Sequence, residues 1–156
     1  MALGKSDRRL DILQSWLVHR SELRGIGIVA GFQWLDGSFV EDKVPNDLDI
    51  ASFVARPVGY SDDVAWAGFV GANLSVLSRT EVKARHPLDF FVTDFGSTPE
   101  TLVGFAAYFM NLFSHRRVDN LWKGMLRVGL DDPSDDALAS QNIASARAAI
   151  AAGIVP

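Results

Sequence analysis

Two aspartates separated by one apolar residue, Asp47 and Asp49, have the spacing in this chain that most directly suggests chemistry. On a β-strand, residues two positions apart point to the same face, so both carboxylates would share one side while Leu48 and Ile50 turn into the core. Two like charges this close repel each other unless a cation lies between them. Carboxylate oxygens are hard ligands, and Mg²⁺ or Mn²⁺ is therefore the expected cation.

A Gly37-Ser38 pair precedes the two aspartates. Gly37 allows the backbone to turn sharply and to approach a ligand closely. If a helix begins at Ser38 or Phe39, its free N–H groups and its dipole can hold phosphate oxygens. A phosphate-binding turn beside metal-binding carboxylates is suited to transfer at phosphorus, where the protein mainly positions groups and neutralises charge.

A third carboxylate is expected on a neighbouring strand, and Asp89 supplies it. It lies in an apolar, strand-like run over residues 87–92, where an acid is costly unless it faces a site. Asp94 is the fallback for the same role. Among the basic residues, Lys123 is the best candidate for contact with a triphosphate, although it could also belong to a solvated basic cluster.

The elements that must position these residues are predicted from hydrophobic periodicity and capping residues. Helices are expected over residues 7–23, 61–77, 99–115 and 134–152. Strands are expected over residues 28–35, 48–56, 87–92 and 121–130. Residues 39–44 are ambiguous and could form a short helix. The alternation predicts a single α+β, or mixed α/β, domain over residues 1–156, with its core in residues 7–130.

Taken in order, Gly37-Ser38, Asp47-Leu48-Asp49-Ile50 and Leu88-Asp89-Phe90 resemble the signature of the polymerase-beta-like nucleotidyltransferase superfamily. The resemblance covers roughly residues 10–95. It implies the nucleotidyltransferase fold: a small mixed sheet with helices packed on one side and two metal ions at the sheet's edge. The implied activity is transfer of a nucleoside monophosphate from an NTP to a hydroxyl of a protein, an RNA or a small molecule.

The same resemblance implies a role for each motif residue. Asp47 and Asp49 would bind both metal ions, Mg²⁺ or Mn²⁺. Asp89 would bind one ion and accept the proton of the attacking hydroxyl. Gly37 and Ser38 would hold the nucleotide phosphates.

The small size resembles the minimal nucleotidyltransferases of prokaryotic toxin–antitoxin and phage-defence systems. Those proteins often carry a Gly-Ser-x-Ala-Arg-Gly pattern, whereas Gly37-Ser38 is followed here by Phe39-Val40-Glu41-Asp42. Lys43 either replaces the missing arginine charge or is a solvated loop lysine. The implied partners are an NTP and an acceptor protein or RNA, with a cognate partner protein and a homo-oligomer as open alternatives.

The overall composition excludes several other kinds of protein. The chain of 156 residues has no cysteine, which excludes disulfides and thiolate metal sites. Its net charge of −4 gives no global attraction to nucleic acid or to an anionic membrane. The N-terminus lacks the apolar region of a signal peptide, and the longest apolar run, residues 104–113, is too short for a membrane helix of roughly 20 residues. A cytoplasmic protein without membrane contact is expected.

Two other functions fit the sequence. The domain could keep the fold and act by binding a partner protein, without catalysis. It could also be a different metal-dependent phosphoryl-transfer enzyme, such as a small phosphatase. A dinucleotide-binding interpretation of Gly25, Gly27 and Gly31 fits poorly, because these glycines follow a helix rather than a strand. His86, close to Asp89 in sequence, is the histidine to test.

Overall fold

The computed structural model describes residues 6–116, 118–119 and 121–154. The helices of this part of the chain are α1 (Asp7–Gly25), α2 (Asp63–Ala72), α3 (Leu74–Leu77), α4 (Arg79–Arg85), α5 (Pro99–Phe113) and α6 (Pro133–Ala151). Its strands are β1 (Gly31–Asp36), β2 (Leu48–Val54), β3 (Leu88–Asp94) and β4 (Leu126–Gly129), and a 3₁₀ turn (Gly37–Val40) follows β1. No helix among these combines the length and the apolarity needed to cross a bilayer.

The four strands form one mixed sheet in the order β3-β2-β1-β4. Strand β1 is antiparallel to both of its neighbours, whereas β2 and β3 run parallel. The parallel pair is joined through the α2–α4 segment, as the crossover between parallel strands requires. The expected single α+β domain with a small mixed sheet is confirmed at this level.

The helix starts follow the capping residues in the sequence. The Ser6 side chain accepts a hydrogen bond from the Arg9 backbone N–H at the start of α1. Thr98 caps α5, with Pro99 at the first helical position. Asp132 caps α6 in the same way. These caps fix where each helix enters the fold.

The prediction of one continuous helix over residues 61–77 is wrong. The chain instead forms α2, α3 and, beyond the predicted end, α4. Asn73 ends α2, and its side-chain amide donates to the Phe69 carbonyl at 2.8 Å, which satisfies a helix-terminal acceptor. Ser78 then adopts an extended conformation that allows α4 to begin in a new direction.

Two strands are shorter than expected, because a strand extends only where a neighbour pairs with it. Strand β1 begins at Gly31, opposite the last residue of β2, and not at Ile28. Strand β4 covers Leu126–Gly129 instead of residues 121–130. Its pairing with β1 ends at Leu35 and Leu126, and before that point Trp122 forms an isolated antiparallel bridge with His115 instead.

Helices cover both faces of the sheet, which corrects the expectation of helices on one side only. One face packs Leu35, Ile50 and Phe90 against α1, α6 and the α2–α4 segment. On the other face, Ala51 packs against Phe109 and Phe113 of α5. Residues alternate between these faces along each strand, so aspartates on the α5 side lie away from the larger core.

His19 of α1 is fully buried, and its titration is expected to make the free energy of unfolding depend on pH. Its Nε2 hydrogen-bonds to the Val76 carbonyl at 2.9 Å, and its ring meets the edge of Phe90. Burial lowers the pKa of His19 to about 4, against the opposing effect of that hydrogen bond. The unfolded chain therefore binds a proton near pH 6.5, where the folded chain does not, and stability falls as the pH drops from about 6.5 toward 4.

Between pH 7 and pH 5, His19 is expected to lower the free energy of unfolding by about 2 kcal/mol. Urea unfolding at the two pH values measures this loss. The His19→Gln variant keeps a donor for the Val76 carbonyl but cannot be protonated, so its stability should change less over the same interval. Equal pH dependence in both proteins would contradict the assignment.

Candidate functional site

Three neighbouring strands each place an aspartate in one row across the sheet. Asp49 of β2 is paired in register with Asp36 of β1 on one side and with Asp89 of β3 on the other. Residues paired directly across strands have side chains on the same face. Asp47 lies immediately before β2 and faces the same cleft. Four carboxylates are thus collected at one end of the sheet.

The row of aspartates opens into a cleft of about 340 Å³. Its lining includes every site residue expected from the sequence, namely Gly37, Ser38, Lys43, Asp47, Asp49, Asp89 and Lys123. The end of α5 closes one side with the apolar side chains of Leu112 and Phe113. The sequence-predicted residues therefore converge on one place, even though they come from the 3₁₀ turn, the loop after it, two strands and the segment after α5.

Asp36 is the most deeply buried carboxylate of the cleft, with 2 % of its surface exposed. Its Oδ2 lies 2.8 Å from Lys123 Nζ, which is also 3.1 Å from Glu41 Oε1. Burial raises the pKa of Asp36 to about 6; the Gly37 backbone N–H and Lys123 oppose this rise, and the charge of Asp49 adds to it. Lys123 is therefore held inside the site by acids rather than in a solvated cluster.

Asp89 is fixed by a bidentate ion pair from α4. Arg79 donates from Nε to Oδ1 at 2.5 Å and from Nη2 to Oδ2 at 2.9 Å, the paired geometry that favours arginine over lysine. The guanidinium also lies 4.6 Å from the centre of the Phe91 ring. Burial would raise the pKa of Asp89, but Arg79 and Lys83 outweigh it and hold that pKa below its ordinary value.

Lys83, one helical turn after Arg79, joins two of the acids. Its Nζ lies 3.2 Å from Asp47 Oδ2 and 3.6 Å from Asp89 Oδ2. Nearly half of its side chain, 48 %, is exposed, so it reaches the acids from the solvent side of the cleft. The position between the two carboxylates is thus taken by a flexible monovalent cation.

Lys43 lies at the outer edge of the cleft, with 53 % of its side chain exposed. Its Nζ is 2.8 Å from Glu41 Oε2. Glu41 consequently contacts both of the expected phosphate-binding lysines, Lys43 and Lys123, and balances part of their charge.

Four functional candidates were missed in the sequence: Asp36, Glu41, Arg79 and Lys83. Asp36 had the clearest signal, because it is an acid at the predicted end of a strand and directly before Gly37. Arg79 and Lys83 had the spacing of one helical face, but they fall on the helix α4 that was not expected.

Asp94, the fallback for Asp89, and His86, the histidine singled out for testing, do not line the cleft. Asp94 lies at the other end of β3, where it binds Arg56 Nε at 2.6 Å and the Gly96 backbone N–H at 2.9 Å. His86 lies 6.1 Å from the His19 ring, next to Glu22 of α1. Asp94 is paired with Arg56 and His86 lies beside α1, so neither replaces Asp89.

The 3₁₀ turn at Gly37 is a single turn rather than an α-helix, so its dipole is short. Gly37 is distinguished by its positive φ and by the side chain of Asp49 next to it. Its φ is +80°, and a Cβ there would collide with Asp49 Oδ2 and lie 2.9 Å from Asp49 Cγ. Only glycine fits between this backbone conformation and the central carboxylate.

The Gly37→Ala variant is expected to be less stable than the Gly59→Ala variant. Gly59 has a comparable φ of +93°, but a Cβ there meets nothing within 4 Å. Both variants carry the backbone cost of about 1–2 kcal/mol for a left-handed alanine. Gly37→Ala should lose a further 1–3 kcal/mol, roughly, because the Asp49 carboxylate must move. Urea unfolding separates the two, and equal losses would mean that Asp49 does not press on Gly37.

The chemistry of the cleft's donors fits a hard divalent cation. Asp36, Asp47, Asp49 and Asp89 offer only carboxylate oxygens, which Mg²⁺ and Mn²⁺ prefer. In the ligand-free geometry of the described residues, no three His, Asp or Glu side chains are already arranged to hold a metal ion, and Arg79 and Lys83 contact the acids instead.

Comparison with known proteins places the chain in one family. No curated protein and no solved structure matches it. The model of a family of unknown function, DUF6932, matches residues 1–129, which include the whole cleft and all four strands. Helix α6 lies beyond the matched span. Because the match covers most of its length, this chain belongs to the DUF6932 family.

Proposed function

We propose that this protein is a metal-dependent nucleotidyltransferase with the polymerase-beta-like fold. The observation that carries the proposal is the register of Asp36, Asp49 and Asp89 across three strands, in the same cleft as the Gly37-Ser38 turn. Asp49 and Asp89, the two parts of the motif that are remote in sequence, are thus paired directly across neighbouring strands. The reaction transfers a nucleoside monophosphate from an NTP to a hydroxyl of a protein, an RNA or a small molecule, and releases pyrophosphate.

In this proposal, Asp47, Asp49 and Asp89 hold Mg²⁺ or Mn²⁺. When bound, the metal would polarise the reacting phosphate and lower the pKa of the attacking hydroxyl. The lowered pKa of Asp89 suits a carboxylate that stays ionised as a ligand, and makes it a weak proton acceptor. We therefore assign Asp89 to metal binding rather than to proton transfer.

The remaining residues of the cleft position the nucleotide. Gly37 brings backbone close to the acids, and Ser38 follows it with a hydroxyl that can donate to a phosphate oxygen. Lys43 and Lys123 supply positive charge for the triphosphate from the side of Glu41. The apolar end of α5 limits water on the opposite side of the cleft.

Labelling with α-phosphate-labelled NTPs tests the proposal. The native protein is incubated with each NTP, Mg²⁺ or Mn²⁺ and cell extract, and the labelled acceptor is then identified. We expect label transfer that requires the metal and is lost in EDTA. Absence of transfer with every NTP and both metals, together with absence of nucleotide binding by calorimetry, would reject the enzyme.

A second function, a catalytically degenerate module that binds a partner protein, is favoured by one observation. The acids of the cleft already have cationic partners in Arg79, Lys83 and Lys123. A domain whose site is closed by its own ion pairs would bind neither Mg²⁺ nor an NTP. Calorimetry with both ligands distinguishes it from the enzyme, and co-purification identifies its partner.

A further inference from the structure

We infer that Lys83 is an exchangeable cation: it neutralises Asp47 and Asp89 in the ligand-free protein, and it binds the polyphosphate of the incoming nucleotide once a divalent cation takes its place. The inference rests on the proposed function. It gives a nucleotide-binding role to Lys83 of helix α4, a residue that lies outside the sequence motif.

The contacts of Lys83 are those of a displaceable ligand. Its Nζ is 3.2 Å and 3.6 Å from one oxygen of each acid, and neither contact is bidentate. The side chain is half exposed, and exposed ion pairs of lysine are individually weak. A divalent cation brings twice the charge to the same hard oxygens, so it should displace the ammonium group.

Arg79 is as exposed as Lys83, with 54 % of its side chain exposed, and it differs from Lys83 in the geometry of its contacts. It binds both oxygens of Asp89 and lies over the Phe91 ring. Arg79 therefore orients Asp89, and Lys83 is the member of the pair that can leave without disturbing the acid. Its four-carbon stem keeps the released ammonium tethered to α4 beside the cleft.

The charges of the cleft indicate which ligand the released lysine would meet. Lys43 and Lys123 are already paired with Glu41, and Lys123 also with Asp36. The segment after Ser38 offers Glu41 and Asp42 but no cation before Lys43. Once the acids hold a metal, Lys83 is left without its partners, and a polyphosphate is the anion that arrives with that metal.

A second feature of the cleft is independent of Lys83. Oδ1 of Asp36 is buried and has no hydrogen bond of good geometry within the described residues. Asp36 is 98 % buried and lines the same cleft. A buried carboxylate oxygen without a partner is costly, and a bound cation would satisfy it.

Two binding measurements on the full-length protein test the exchange. Mn²⁺ alone is titrated by electron paramagnetic resonance, and inorganic tripolyphosphate is titrated by calorimetry in saturating Mn²⁺. Lys83→Ala is expected to increase the Mn²⁺ affinity about twofold to fivefold, because a competing cation is removed. The same variant should decrease the tripolyphosphate affinity about tenfold, because a charged donor is lost. A purely structural role would not change the two affinities in opposite directions.

Two matched variants complete the test. Lys83→Arg keeps the charge on α4 and should bind tripolyphosphate nearly as well as the native protein. Arg147→Gln on α6 removes one positive charge from an exposed ion pair with Asp11 of α1, and it should change neither affinity. The inference about Lys83 is overturned, and the proposed function is not, if Lys83→Ala binds Mn²⁺ no more tightly than the native protein or binds tripolyphosphate equally well. If the native protein binds no Mn²⁺, the proposed function fails, and the inference fails with it.

Discussion

If the proposed metal-dependent nucleotide transfer is the activity, the Asp49→Asn variant is expected to lose it by more than about a hundredfold while keeping its fold. Loss of a group that merely supports a metal ligand costs 10-fold to 100-fold, so loss of a central ligand should cost more. Asp49 is paired in register with Asp36 on one side and Asp89 on the other, so it is the central carboxylate of the row. Asparagine has nearly the same shape but no charge, and it also removes repulsion between neighbouring carboxylates. Asp47→Asn should behave in the same way.

The control is Asp42→Asn, which removes an exposed carboxylate that does not line the cleft. Transfer of labelled nucleotide by this variant should match the native rate. Urea unfolding of all three variants shows whether a lost activity reflects a lost fold. Native activity in both Asp47→Asn and Asp49→Asn would remove these residues from the site.

The expected site residues converged because their signal is local. A period of two places Asp47 and Asp49 on one face whatever the strand pairs with. The apolar run around Asp89 indicates a strand, and burying a carboxylate there costs free energy unless the carboxylate faces a site. Such patterns do not show which strands are neighbours. The row of Asp36, Asp49 and Asp89 depends on β1 and β3 both pairing with β2, and these pairings are non-local.

The cationic half of the site was harder to foresee for a different reason. Lys83 and Arg79 belong to α4, which exists because Asn73 ends the preceding helix and the chain restarts after Ser78. A lysine or arginine on an exposed face is usually solvated, and only the tertiary structure shows that an acid lies within reach. Helix α5 likewise carried no signal for which face of the sheet it would cover.

The Asp136→Ala variant is expected to destabilise the whole protein by about 3–5 kcal/mol, the usual cost of removing one partner from a buried ion pair. Asp136 of α6 accepts hydrogen bonds from Arg20 Nε to both oxygens, at 2.9 and 2.8 Å. The Arg20 side chain has no exposed surface. It also donates to the Gly129 carbonyl at 2.7 Å and lies against the Trp16 ring. Without the carboxylate, the buried guanidinium would lose its counter-charge.

Asp135→Ala is the matched control, because Asp135 lies in the same first turn of α6 but is exposed. It loses the same favourable charge near the helix N-terminus, which contributes at most about 1 kcal/mol. Urea unfolding followed by tryptophan fluorescence measures both variants. A single transition that shifts only for Asp136→Ala would show that α6 unfolds together with the sheet, although it lies outside the span that the family shares. Equal small effects would mean instead that α6 is attached to a core that folds without it.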